Sequence, residues 1–406
     1  MGFDFNNPFG SITELLTSLL INLGLPQPLV SVILAVVGAG ILAGVTLTTA
    51  GVFNIWLERK IGARFQDRLG PNRVGPFGLF QGIADAIKLT LKEDITPTGA
   101  DKVVFNVAPL LAVMSVVGLW AVVPFAPQLI GADLNVGVLY VVAIGGVGTL
   151  SVIMAGWSSN NKYALLGALR TVAMLISFEI PMVLVLLVPT MLAGSMGMVA
   201  IVNGQDVWFL LLAPVAAFVF FVSSLAEVGR TPFDLIEAES EIVAGYNIEY
   251  SGMKFGMFMV AEFFHSFTIG ALFTVLFLGG WRGPGSETYP ILGLVYFVAK
   301  TFFMYFIVMW IRYTFPRVRI DQMMALNWKF LTPLALVVVM ATAVVDKLAL
   351  SQGWPRTPVH LALNGTLVLL TLGLMQAYAR ALRRRVEGMR QPEAGEIAGA
   401  AVGPGS

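Results

Sequence analysis

Nine apolar runs dominate this chain of 406 residues, each long enough to cross roughly 30 Å of hydrocarbon as a helix. They lie at about residues 29–53, 103–126, 136–157, 163–193, 207–226, 255–280, 291–311, 331–349 and 359–379. With 57% hydrophobic residues, 12% charged residues and a mean hydropathy of +0.81, a bilayer rather than water is the solvent for most side chains. The expected fold class is an all-α integral membrane protein of about nine transmembrane helices.

The charges sit between the runs, and unevenly. Alternate loops, at 54–102, 158–162, 227–254, 312–330 and after Tyr378, hold 8, 1, 2, 4 and 5 Lys or Arg, while the opposite loops hold only Arg282, Lys347 and Arg356. The positive-inside rule then places the amino terminus outside and the charged loops and carboxyl tail in the cytoplasm. It also supports nine spans, since eight or ten would put Arg383, Arg384 and Arg385 outside. A net charge of +1, with basic residues scattered over span ends, gives no signal for nucleic acid. The chain has no cysteine, so it can hold neither a disulfide nor a cysteine-ligated cluster, and His265 and His360 alone argue against a histidine metal site. Any redox cofactor must belong to a partner.

Four segments follow. Residues 1–28 lack the basic n-region of a cleaved signal peptide and read as a short mature segment outside. Residues 29–350 form an eight-helix core, 351–385 add a ninth helix, and the Ala/Gly-rich stretch 386–406 reads as a disordered cytoplasmic tail.

Two loops stand out. Residues 56–102 pack eight basic and six acidic side chains between two long apolar runs. Within them GLFQGIADAIKLTLK (78–92) puts Leu79, Phe80, Ile83, Ala84, Ile87 and Leu91 on one helical face and Asp85, Lys88 and Lys92 on the other, the pattern of an interfacial amphipathic helix. The preceding GPNRVGPFG (70–78) reads as a fixed irregular connection or as a plain turn. The second loop, 227–249, carries Glu227, Asp234, Glu237, Glu239, Glu241 and Glu249 against Arg230 alone. Charge count alone allows a solvated acidic loop. Against that stand Arg170, Glu179, Glu262, His265 and Lys300, ionisable residues inside neighbouring runs that would each cost roughly 2.5–3.5 kcal/mol at the bilayer centre and so require partners or a hydrated cavity. Together with the acidic loop they outline a polar route into the membrane, because crowded carboxylates at low dielectric cannot all stay ionised and can pass protons on. His265, one turn from Glu262, reads first as the partner that satisfies it.

The segments WLERKIGARFQDRLGPNRVGPFGLFQ (56–81), SSNNKYALLGALRTVAMLISFE (158–179), RTPFDLIEAESEIVAGYNIEYSGMKF (230–255) and WIRYTFPRVRIDQ (310–322) resemble the signatures of the quinone-site membrane subunit of respiratory complex I, the bacterial NADH-quinone oxidoreductase. The resemblance covers about residues 30–350. It implies a proton-translocating NADH:quinone oxidoreductase subunit with no redox centre of its own, sitting in a bacterial plasma membrane among lipids. Its implied neighbours are the peripheral-arm subunits of the quinone site, with FMN and iron–sulfur clusters held in that arm, and the antiporter-like membrane subunits. The resemblance further implies a proton pathway of Glu179, Glu227, Asp234, Glu237, Glu239, Glu241, Glu249 and Glu262. It implies a quinone chamber near Glu58, Arg59, Arg68, Asp85, Arg230 and Phe233, faced by Arg312, Arg317 and Arg319, with quinone as substrate. Phe178 departs from the family, in which a tyrosine is frequent beside the buried glutamate.

Two other readings stay open on the residues alone. A secondary transporter could place Arg170, Glu179 and Lys300 at midplane, although the internal repeats usual in such folds are not evident. The related membrane subunits of energy-converting hydrogenases share the fold without the quinone.

Overall fold

The computed structural model of the chain describes residues 8–127, 129–235 and 243–400. Every regular element among them is helical. The first half holds α1 (Pro8–Asn22), α2 (Gln27–Thr48), α3 (Ile55–Phe65), α4 (Gln81–Leu91), α5 (Lys102–Leu119), α6 (Gly137–Ser158) and α7 (Lys162–Ala193). The second holds α8 (Met198–Asn203), α9 (Phe209–Leu212), α10 (Pro214–Glu227), α11 (Gly252–Phe277), α12 (Pro290–Thr314), α13 (Ile320–Leu326), α14 (Thr332–Gln352) and α15 (Arg356–Ala400).

Seven stretches among the described residues are long and apolar enough to cross a membrane, and the protein is an all-α integral membrane protein. They are α5, α6, α7, α11, α12, the continuous rod Ile320–Gln352, and Arg356–Ala377 within α15. The other two apolar runs take different forms. Run 29–53 becomes α2, which continues through a π-helical turn at Thr49–Asn54 into α3. Run 207–226 is broken: Ala213, held at φ −142° and ψ 59°, separates α9 from α10. A proline ring disfavours helical geometry in the residue before it, and with Ala213 held outside that geometry Pro214 starts a new helix instead of extending the old one. The 14 residues of α10 reach only about 21 Å.

At the two ends, α1 lies within the amino-terminal segment, and α15 runs on to Ala400.

The centre of the bundle is α11, the most buried of the seven spans, which packs against α5, α12 and α4. Its crossing with α12 depends on Gly270, where a Cβ would lie 3.1 Å from the Thr301 carbonyl oxygen. Trp120, at the end of α5, stacks on Phe264 and Phe267 at 5.4 and 5.5 Å and donates its indole N–H to Thr268 Oγ1 at 2.8 Å. Outward faces are apolar, as Phe303, Met340 and Leu369 illustrate, the surface a lipid-embedded bundle presents. On α4, Phe80, Ile83, Ile87 and Leu91 are likewise exposed while Asp85 turns toward the protein.

Candidate functional site

Glu58 lies in the first turn of α3, just beyond the π-helical turn, and is only 3% exposed. A carboxylate taken that far from water needs partners, and three elements supply them. Arg312, in the last turn of α12, forms an ion pair with Glu58. Arg230, past the end of α10, brings Nη1 to 3.5 Å from Glu58 Oε1 and to 3.3 Å from Glu262 Oε1 of α11. The Arg230 Nε donates to Ser266 Oγ at 3.1 Å, and its guanidinium lies 4.6 Å from the Phe263 ring centre. The Tyr305 hydroxyl donates to Glu58 Oε2 at 3.3 Å, and the Tyr313 hydroxyl reaches the Glu58 carbonyl at 3.3 Å. Tyr313 can do so because residue 62 is glycine, whose missing Cβ would overlap its ring. Two carboxylates and two guanidiniums therefore balance in one largely buried cluster.

A second cluster adjoins the first. His265 follows Glu262 by three residues on α11, a spacing that puts their Cβ atoms about 5–6 Å apart, and Glu227, the last residue of α10, precedes Arg230 by three. His265 Nε2 stands 4.0 Å from Glu227 Oε1. His265, Glu227 and Glu179 of α7 line one small cavity of about 20 Å³, room for a single water, closed off by Leu119, Val141, Met182 and Phe220. The expected pairing is thus exchanged: His265 faces Glu227, and Glu262 faces Arg230. Ion pairs join Glu58, Arg230 and Glu262, one turn of α11 separates Glu262 from His265, and His265, Glu227 and Glu179 share the cavity, so six ionisable side chains succeed one another from Glu58 to Glu179.

Around the first cluster lies a more exposed rim. Arg59 and Lys88 pair with Asp85 at 2.5 and 3.4 Å. Burial pushes the Asp85 carboxyl up, but these two cations outweigh it and hold the group below the usual carboxylate range. Lys60 Nζ donates to the Pro71 and Phe77 carbonyls at 2.8 and 3.2 Å and Trp56 Nε1 to that of Phe77 at 3.0 Å, which makes GPNRVGPFG a tied-down connection and not a loose turn. Phe233 is buried against Phe178, ring centres 5.6 Å apart. Asp234 pairs with Arg317 at 2.7 Å, and the Val318 N–H donates to the Pro232 carbonyl at 2.9 Å, joining the acidic loop to the loop after α12.

Not every expected residue joins these clusters. Arg68 is exposed and bonds Gln66 at 2.7 Å, and Arg319 pairs with its neighbour Asp321 at 3.1 Å. Glu249 accepts from Asn161 Nδ2 at 2.6 Å beside an open groove, roughly 25 Å along α7 from Glu179. Glu237, Glu239 and Glu241 lie outside the described residues. Lys300 caps the far end of α11 by donating to the carbonyls of Leu278, Gly280 and Arg282 at 2.8, 3.0 and 2.8 Å, about 24 Å along the axis from Glu262. Conversely, Tyr305, Tyr313 and Ser266 hold the first cluster without having been expected there. Hydroxyls inside apolar runs cost too little to stand out in a sequence. Among the described residues no three acidic or histidine side chains are arranged to hold a metal ion.

The NADH dehydrogenase family model matches residues 38–343. The H-subunit of NADH-quinone oxidoreductase from Dehalococcoides mccartyi strain CBDB1 is 52% identical over 303 residues, covering 75% of this chain and 84% of that protein. The proteins of the same name from Brevibacillus brevis and Geobacillus kaustophilus are 48% and 47% identical over 296 and 324 residues. These matches cover 72% and 79% of this chain, and 88% and 93% of theirs. All six core residues of the ionisable run fall within the family match, whereas α15 lies beyond it.

Proposed function

Since the chain belongs to the NADH dehydrogenase family as a membrane subunit of NADH-quinone oxidoreductase, we propose that it forms the quinone-access chamber at the junction with the peripheral arm and the start of the proton-coupling pathway. The observation that carries this reading is the succession of six ionisable side chains from Glu58 to Glu179.

Reducing a quinone to a quinol takes up two electrons and two protons at the ring oxygens. A head group held beside the Glu58–Arg230–Arg312 cluster meets guanidinium donors suited to its carbonyl oxygens. Its negative charge during reduction acts on the cluster at short range. Unit charges 4 Å apart interact by about 4 kcal/mol at an effective dielectric of about 20, the scale needed to bias the position of a proton. The disturbance then passes from Arg230 and Glu262 to His265, Glu227 and Glu179. Arg59, Asp85 and the Asp234–Arg317 pair border the chamber, with Phe233 in its wall, and the exposed apolar face of α4 offers a lipid-side approach for an isoprenoid tail. Arg68, Arg319 and Glu249 act at the periphery, where partner subunits dock.

In this reading FMN and the iron–sulfur clusters reside in the peripheral arm, and antiporter-like subunits receive the signal beyond Glu179. The membrane is the bacterial plasma membrane, with the charged loops cytoplasmic, in keeping with the basic-residue bias. Residues 29–350 supply the working core, and α15 flanks it.

The test is Glu179→Gln in the assembled enzyme. Electron transfer from NADH to a hydrophilic acceptor is expected to persist while quinone-linked proton pumping falls; unchanged pumping would overturn the reading.

A further inference from the structure

Two core helices carry interior prolines, Pro109 in α5 and Pro181 and Pro189 in α7, and each removes the N–H that would have served the carbonyl four residues earlier. In α5 Pro109 leaves the Phe105 carbonyl without its helical donor, and the Tyr250 hydroxyl fills the gap at 3.2 Å. Burial pushes that phenol up to about 12 against the Ser158 hydroxyl, which lowers it, so it stays a donor throughout the physiological range. In α7 Pro181 leaves the Ser177 carbonyl in the same position. Asn327 Nδ2 donates to it at 2.5 Å. Asn327 is 0% exposed and opens the π-helical turn Asn327–Leu331 in the rod of α13 and α14.

Glu179 stands between Ser177 and Pro181, inside the turn that the proline opens. The proline ring pushes the Ser177 carbonyl outward, and how far that turn opens fixes the direction in which Glu179 leaves the helix. A carbonyl in an apolar interior does not remain without a donor, so the Asn327 amide sets the opening. We propose that Asn327 is a positioning residue for Glu179, a role that rests on Glu179 belonging to the proton pathway.

The placement of Asn327 adds a mechanical connection. It lies eight residues beyond Arg319, about 12 Å along one helical rod, and that rod begins at the loop whose Arg317 and Val318 grip Asp234 and Pro232. A movement of this loop when the chamber fills is carried by the rod to the Ser177 carbonyl, and hence to the side chain two residues on. Relaxation of the π-helical turn to ordinary helix would rotate Asn327 away and release the bond. The titratable groups facing Glu179 across the cavity are Glu227 and His265, so a displacement of about 1 Å alters every charge distance that Glu179 experiences.

The experiment uses the complete enzyme in membrane vesicles. Asn327→Leu removes the donor at similar volume, and Pro181→Ala added to it returns a backbone N–H to Ser177. Asn327→Leu is expected to shift the pH midpoint of quinone-linked proton pumping by about 0.5 unit or more and to lower pumping about fivefold. Electron transfer from NADH to a hydrophilic acceptor is expected to hold. The double variant regains a donor for the Ser177 carbonyl but closes the turn, so it is expected to assemble like the parent while its pH midpoint stays displaced. A parental midpoint in Asn327→Leu alone, or in the double variant, overturns the proposal. Should Asn327→Leu fail to assemble, a double variant that assembles with a displaced midpoint supports the role, and one that assembles with the parental midpoint, or does not assemble, refutes it. The infrared carboxyl band of Glu179, assigned by its disappearance in Glu179→Gln, separates the two failures. If Glu179→Gln pumps normally the pathway reading falls, whereas if the band ignores Asn327→Leu the positioning role falls.

Discussion

Replacing Glu58 by glutamine removes one charge from a set of four that balances only as a whole. Arg230 keeps Glu262 at 3.3 Å, but Arg312 loses the carboxylate it pairs with. The gross attraction across the 3.5 Å between Arg230 and Glu58 is about 5 kcal/mol at an effective dielectric of about 20. Removing one partner of a buried pair costs about 3–5 kcal/mol, because the other charge stays desolvated. That is a large share of a typical folding free energy of about 5–15 kcal/mol, so the amount of assembled enzyme in Glu58→Gln membranes is expected to fall several-fold. Adding Arg312→Gln restores the charge balance, and the double variant is expected to recover assembly to within about 1 kcal/mol of the parent. Assembly is read on native gels and by electron transfer from NADH to a hydrophilic acceptor. Quinone reduction per assembled enzyme should stay low in the double variant, since the donors proposed to meet the head group are altered. If the two single losses simply add in the double variant, charge balance is not what holds Glu58, and the account of the cluster fails.

Asp85 gives a pH prediction of defined sign. Its carboxyl is held below the ordinary value of 3.8, so the stabilisation from Arg59 and Lys88 is complete above that value and is lost as pH falls through the depressed one. Neutral-pH assembly should therefore be insensitive to pH at this site, and Asp85→Asn should remove at most about 1 kcal/mol, read as acid resistance of the assembled enzyme below pH 4 in parent against variant. Tyr250→Phe leaves the Phe105 carbonyl without its hydroxyl and should destabilise the protein by about 1–3 kcal/mol, and adding Pro109→Ala should recover most of that loss on denaturant titration. Arg317→Ala cuts the ion pair to Asp234 and should raise the quinone KM more than it lowers electron transfer to a hydrophilic acceptor; equal effects on both would count against a chamber wall there.

Much of this arrangement is legible in the sequence because a bilayer penalises charge so strongly. Seven of the nine apolar runs are spans of the expected kind, and Glu179, Glu262 and His265 stand out as ionisable residues where such groups are rare. Which of them meet is not legible. His265 could satisfy Glu262 one turn away on its own helix, yet it faces Glu227 from α10, a fact fixed by how α10 and α11 cross. The break at Ala213 is concealed by composition, since residues 207–226 are apolar on both sides of Pro214. Lys300 has the rarity of a pathway residue but spends its three donors on carbonyls at the far end of α11. Tyr305, Tyr313 and Asn327 carry no net charge and vanish among their apolar neighbours.

Rigidity is what joins these pieces into one device. A chain of charges conveys a signal only if its members cannot relax independently, and the sequence places helix-breaking residues beside the charged ones. Pro181 lies two residues from Glu179, the π-helical turn Thr49–Asn54 lies one turn before Glu58, and Pro232 lies two residues after Arg230. Each break would free backbone groups and add mobility if left alone. At Pro181 the freed carbonyl is held by Asn327, and the Pro232 carbonyl is held by the Val318 N–H, both from the segment that follows α12. That one segment therefore braces the run beside Arg230 and beside Glu179, and it also supplies Arg317 to the acidic loop. A displacement at either place must be shared with the other, which is the mechanical requirement of the proposed coupling between charge at a quinone and a proton some helical turns away.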